Sequence, residues 1–178
     1  MQAKLVVNDV EVVLGHDELD VISGALSEHG DRSAILYELA KSPSSQVRMN
    51  VVYNDTMDKK TTERLIRDTS IEVLRALVQT DQAQMIMTDE DMDRLIGAGD
   101  VELLCHIAEH VDNFDACELD VLCEKLVDQK DPQVRKELAS NSGTPRRFLE
   151  KLVDDEDRDV FKAAEALLDE WDDEEDDD

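Results

Sequence analysis

The sequence predicts an all-α fold, a superhelical solenoid of about five stacked helix pairs. Two observations carry this expectation. One apolar pattern recurs five times, and the core material is aliphatic. The chain has 178 residues, 41% hydrophobic but only 3% aromatic. A core of Leu, Val, Ile, Ala and Met is a helical packing palette, with little for base or sugar stacking.

The pattern is L-x2-L-[AIV]-x6-V, followed by a second apolar pair. Its first copy is Leu36, Leu39, Ala40, Val47, Val51 and Val52. The second is Thr62, Leu65, Ile66, Val73, Leu77 and Val78. The third is Met92, Leu95, Ile96, Leu103, Ile107 and Ala108. The fourth is Cys123, Leu126, Val127, Val134, Leu138 and Ala139, and the fifth Leu149, Leu152, Val153, Val160 and Ala164. The anchors Val47, Val73, Leu103, Val134 and Val160 lie 26, 30, 31 and 26 residues apart. Apolar positions at i, i+3 and i+4 on both sides of a polar break mean helix, turn, helix. One such pair cannot bury its own stripe, so neighbours must stack.

The punctuation agrees. Ser42-Pro43, Asp131-Pro132 and Thr144-Pro145 each read as a helix cap followed by proline at the first helical position. Thr88-Asp89-Glu90-Asp91 places a cap and three carboxylates at another helix start. Residues 17–28 read as one more helix, pairing with 32–41. Residues 1–15 form an N-terminal cap. Its β-branched run, Leu5 to Val13 with Asn8-Asp9 at the centre, is either a short β-hairpin or an added helix turn. The solenoid covers 16–170. Residues 171–178 are expected to be a disordered acidic tail, either a solvated brush or folded back on Arg146, Arg147 and Lys151.

Charge narrows the function. The net charge is −26, a field that repels nucleic acid and anionic lipid and attracts basic proteins. It is uneven: −4 over 1–75, −11 over 76–130, +2 over 131–153 and −13 over 154–178. The third stretch reads as the net-basic island of the chain. No apolar run approaches a membrane span, and Met1 to Leu5 lacks a signal-peptide pattern. Cys105, Cys117 and Cys123 fit neither a disulfide framework nor a zinc knuckle; they read as reduced helix residues of a cytoplasmic protein.

The fourth-to-fifth unit carries the most specific motif. It reads Asp131-Pro132-Gln133-Val134-Arg135, then Ala139-Ser140-Asn141, Thr144-Pro145, and Leu149 with Leu152. This resembles the leucine-rich repeat variant family, a HEAT-like group with D-P-x-x-V-R, A-x-N, T-P and L-x-x-L in each unit. The first unit is similar through Ser42-Pro43, Val47-Arg48 and Asn54; the second and third keep only the apolar skeleton. The resemblance implies a right-handed α-α superhelix whose second helices line a concave face. It also implies protein binding for most of the wider HEAT and armadillo group, and DNA-glycosylase activity for some. The cysteine cluster that gives certain variant-repeat proteins an iron–sulfur centre has no counterpart before Cys105.

Candidate chemistry is thin. His106-Ile107-Ala108-Glu109-His110 fits H-x-x-E-H, a zinc-peptidase pattern. In repeat register, however, its histidines fall on a solvated helix face and a helix end. Asp89-Glu90-Asp91-Met92-Asp93 imitates the start of a calcium loop, but Arg94 stands where glycine is needed. Cys123 occupies a leucine slot of the repeat, which makes it core. No metal, cofactor or catalytic residue is expected.

The expected product is therefore a bacterial cytoplasmic interaction module with no enzymatic activity, binding a basic protein or peptide without direct contact to nucleic acid or membrane. Its oligomeric state is left open between monomer and weak dimer. The candidate partner-binding surface comprises Arg48, Asn50, Glu72, Arg75, Gln79, Glu102, His106, Glu109, Lys136, Glu137 and Lys162. Two rival readings remain. One is an acidic nucleic-acid mimic of the inhibitor or immunity type, which requires Asp89, Asp91, Asp93, Asp100, Glu102 and Glu109 on one face. The other is a HEAT-like DNA repair glycosylase, which the charge disfavours.

Overall fold

A computed structural model of the chain describes residues 3–7, 10–15, 17–19 and 33–176. The chain divides into two compact units, Met1–Ala83 and Gln84–Asp178.

The first unit opens with a hairpin, which decides between the two N-terminal alternatives. Strands β1 (Ala3–Val7) and β2 (Val10–Leu14) pair antiparallel, from Ala3↔Leu14 to Val7↔Val10. The expected turn at Asn8-Asp9 lies outside the described residues. Of the helix expected over 17–28, residues 17–19 are helical and the remainder lies outside the described residues.

Two helix pairs follow: α1 (Ser33–Leu39) with α2 (Ser45–Val52), and α3 (Lys59–Leu65) with α4 (Ile71–Leu77). Helix α1 packs on α3, and α2 on α4. The short α5 (Asp81–Gln84) straddles the boundary between the units.

The second unit repeats this plan three times. Its pairs are α6 (Asp89–Ala98) with α7 (Val101–Glu109), α8 (Leu119–Val127) with α9 (Pro132–Ser140), and α10 (Arg146–Leu152) with α11 (Arg158–Asp176). First helices stack on first helices, α6 on α8 on α10; second helices stack on second, α7 on α9 on α11. The fold is thus an all-α repeat of the solenoid type, with a first-helix layer and a second-helix layer in each unit. No helix among the described residues is long and apolar enough to cross a membrane.

The apolar skeleton is the core. Leu36, Val47, Val51, Leu65, Val73, Leu77, Leu95, Leu103, Ile107, Cys123, Leu126, Val134, Leu138, Leu149, Val160 and Ala164 are fully buried. Ile96, Val127 and Val153, the last apolar position of their first helices, are half-buried. Oxygen caps start several of the helices. Ser44, Asp58 and Asp100 accept from Val47, Thr61 and Leu103, and Thr88 and Asp91 form a reciprocal capping box. Gly99, with φ 68°, ends α6 in the left-handed conformation that favours glycine.

Only one proline pair behaves as expected. Asp131 caps α9 with Pro132 in its first turn. Helix α2 instead starts two residues after Pro43, and Pro145 is itself the cap residue of α10. Ser42 and Thr144 are buried; the Thr144 hydroxyl donates back to the Leu138 carbonyl at 2.7 Å.

Polar staples join successive repeats. Arg48 grips Asp68 with two bonds, Nε–Oδ2 at 2.6 Å and Nη2–Oδ1 at 2.8 Å, and its Nη1 donates to the Ser42 carbonyl at 2.7 Å. Arg135 does the same to Asp155, at 2.7 and 2.9 Å, while Nη1 donates to the Gln129 carbonyl at 2.6 Å. Each arginine stands one residue after its anchor valine and reaches the aspartate 20 residues on, in the turn of the next pair. These are the two 26-residue periods. In the longer periods the same position holds Leu74 and Leu104, both buried. A further staple is Asn141, whose Nδ2 donates to the Glu109 carbonyl at 2.6 Å and to Asp112 Oδ1 at 3.1 Å. It ties the end of α9 to the end of α7.

The expected disordered tail requires a correction. Helix α11 continues through Trp171 to Asp176. Its apolar stripe of Val160, Ala164 and Leu167 is extended by half-buried Trp171, and Asp172 Oδ1 accepts from Arg146 Nη2 at 2.8 Å. Packing and an ion pair hold a segment that composition alone reads as solvated.

The Arg135 bond holds the Asp155 carboxyl below its ordinary 3.8, and the backbone N–H of Asp157 acts in the same direction. The stability this contributes is present above the unfolded-state value and is lost as pH falls through the depressed folded value. Arg135→Ala should cost about 3 kcal/mol, since it leaves a largely buried carboxylate unpaired. Urea titrations at neutral pH and near pH 3 check both points: Asp155→Asn should be destabilised at neutral pH and should lose less stability than wild type on acidification.

Candidate interaction surface

The predicted surface residues fall into three groups. Arg48 leaves the list, because its largely buried guanidinium is committed to Asp68 and holds two repeats together. Several others are engaged locally. Asn50 accepts from Gln46, Glu72 accepts from the Ser70 hydroxyl, and Gln79 donates to the Arg75 carbonyl. Arg75 is half-buried on α4.

The remaining six, Glu102, His106, Glu109, Lys136, Glu137 and Lys162, lie on the second-helix layer of the second unit. Here α7 and α9 bring carboxylates together. Cys105, half-buried on α7, is pushed up to about 11 by burial first and then by Glu137, Asp131, Glu109 and Glu102. Glu102 and Glu109 belong to α7, Glu137 to the adjacent α9, and Asp131 to the cap of α9. The second unit carries −21 of the net charge and the first −5.

The H-x-x-E-H motif makes a local cluster. His106 Nδ1 is 3.6 Å and His110 Nε2 3.9 Å from Glu109 Oε2, with His110 at the C-terminal cap of α7. Among the described residues, no group of three or more metal-ligating side chains is placed to hold an ion. In the calcium-like run, Asp91 belongs to the capping box, Asp89 accepts from the Glu118 amide at 3.2 Å, and Asp93 pairs with Lys125 at 2.5 Å. Of the carboxylates that a nucleic-acid mimic requires on one face, Asp89, Asp91 and Asp93 sit on the first-layer α6, Glu102 and Glu109 on the second-layer α7, and Asp100 in the turn between them.

The expected basic island is neutralised. Arg146 pairs with Glu150 and Asp172, Arg147 with Asp120, and Lys151 stands over the Phe148 ring. A different basic site escaped the sequence reading. In the first unit a cleft of about 680 Å³ is lined by Tyr37, Lys60, Glu63, Arg64, Arg67 and the Arg48–Asp68 pair, among others. Lys60, Arg64 and Arg67 follow i, i+4, i+7 spacing on and just beyond α3, so they share one face. The signal was present as Lys59-Lys60-x-x-Glu63-Arg64-x-x-Arg67, but a charge sum over 75 residues concealed it.

No family model matches the chain, and no curated protein matches it. In structure it is similar to a designed armadillo repeat protein, YIII(Dq)4CqI, at 17% identity and a TM-score of 0.39, covering 87% of this chain and 94% of that one.

Burial pushes all three thiols up. Cys117 is pushed up to about 11 and Cys123 to about 12, burial being the main cause in each. The Cys117 Sγ donates to the Met87 carbonyl at 3.2 Å, which requires the protonated form. A thiol held near 11 has roughly one part in a thousand thiolate at pH 8. Iodoacetamide should therefore alkylate the folded chain far more slowly than free cysteine at pH 8, with the rate climbing steeply towards pH 11. Rapid modification of Cys105 at pH 8 would contradict the anionic surroundings described here.

Proposed function

We propose that this chain is an interaction module that binds a basic protein or peptide through the second-helix layer of its second unit, with no chemistry of its own. One observation carries the reading: Glu102 and Glu109 on α7 stand beside Glu137 on the adjacent α9 and Asp131 at its cap, and the charge of each raises the Cys105 thiol. Anionic groups on a rigid face attract a lysine or arginine side chain and cost little ordering on binding. The −21 carried by the second unit would speed the encounter.

The finer placement among leucine-rich repeat variants is supported by what its motif residues do in this fold. Asp131 caps, Arg135 grips Asp155 and Asn141 ties two repeats. Three unpaired, protonated thiols suit a reducing cytoplasm.

A labelled decapeptide of alternating arginine and serine provides the test. It should bind saturably at physiological salt and weaken as salt rises. The pair Glu109→Gln and Glu137→Gln should lower affinity about tenfold while helicity is retained. Undiminished binding by that variant, or no saturable binding by wild type, would sink the reading.

A further inference from the structure

We propose that the cleft of the first unit is a second docking site of opposite preference, one that takes an extended acidic peptide segment. Four cations line it, Arg48, Lys60, Arg64 and Arg67, against two carboxylates, Glu63 and Asp68. Arg48 and Asp68 cancel each other and close one wall. Glu63 lies 3.9 Å from Lys59, on the same helix. Lys60, Arg64 and Arg67 are exposed, and no ion pair holds Arg64 or Arg67 among the described residues. The cleft therefore presents a net-basic row, three cations against Glu63, inside a chain of net charge −26.

The spacing suits a peptide. Four helical residues separate Lys60 from Arg64, a rise of about 6 Å. Side chains at i and i+2 on one side of an extended strand are about 6.7 Å apart. An extended segment with carboxylates on alternate residues would therefore meet Lys60 and Arg64 in step, with Arg67 just beyond the helix end to take a further carboxylate, and each guanidinium can take a carboxylate with two parallel bonds. Tyr37 contributes an aromatic wall and orders the first cation: the ammonium groups of Lys41 and Lys60 each stand 4.2 Å from its ring centre. A volume of about 680 Å³ admits a few residues of such a segment.

A nucleic acid fits the same cations less well. A long polyanion would be repelled by the rest of the chain, and one tyrosine offers no ladder for successive bases. At physiological salt, screening over about 8 Å lets a short peptide respond mainly to the cleft.

The experiment uses the full chain and a labelled decapeptide of alternating aspartate and serine, followed by fluorescence anisotropy. Saturable binding is expected, with no binding of the same peptide carrying asparagine for aspartate. Arg64→Glu with Arg67→Glu should weaken it about tenfold or more. The milder pair Arg64→Gln and Arg67→Gln should weaken it less, and Lys130→Glu, in the second unit, not at all. Far-UV circular dichroism confirms that each variant is folded. Equal binding by a folded Arg64→Glu/Arg67→Glu variant overturns the proposal, as does equal binding of the asparagine peptide. Displacement of the peptide by an oligo-thymidine at equal or lower concentration also overturns it, assigning the cleft to phosphates. The arginine–serine peptide and the Glu109 and Glu137 variants report on the other unit, so either site can fail alone.

Discussion

Helices of seven to ten residues do not persist alone in water, because nucleation costs more than so few hydrogen bonds return. Apart from α11, every helix described in this chain is at or below that length. Stacking is therefore the condition for their existence. Each pair exposes an apolar stripe that only the next pair can cover, and the fully buried residues are the ones that recur from repeat to repeat. Cooperativity within each unit follows from this dependence.

Apolar stacking alone leaves sliding and rotation weakly specified. Directional groups supply what is missing. The Arg48–Asp68 and Arg135–Asp155 forks set the distance from one second helix to the following turn, with both side chains largely buried and each arginine also donating to a backbone carbonyl. Where the period lengthens, leucine takes the arginine position and the turn aspartate is not needed. The exchange of a satisfied buried ion pair for an apolar contact is energetically close to neutral, which explains why both solutions occur in one chain. Asn141 has an equivalent role for α7, capping carbonyls that would otherwise end without partners.

This division of labour separates structural from available charge. Most basic residues of the 131–153 stretch are engaged in ion pairs or ring contacts, and several carboxylates of the acidic 76–130 stretch are caps. What remains are two local fields of opposite sign. One is formed by Glu102, Glu109 and Glu137 on the adjacent α7 and α9; the other is the row formed by Lys60, Arg64 and Arg67. Net charge describes neither, because screening confines each to its immediate neighbourhood.

Helical periodicity is a local property, so the sequence by itself determined the helix pairs, the buried rungs such as Leu39, Leu65, Leu95, Leu126 and Leu152, and the capped starts of α6 and α9. The identity of Cys123 as core was legible for the same reason. Only the tertiary structure decided which polar residues are occupied. Arg48 looks like a surface cation in sequence, yet its partner lies 20 residues away and meets it only when two repeats stack. Thr144 reads as a cap but turns inward to Leu138, and residues 171–176 read as a brush but continue a helix, because Trp171 and Arg146 offer contacts that composition cannot register. Composition and spacing report what a residue is able to do; its neighbours in space settle which of those options remains.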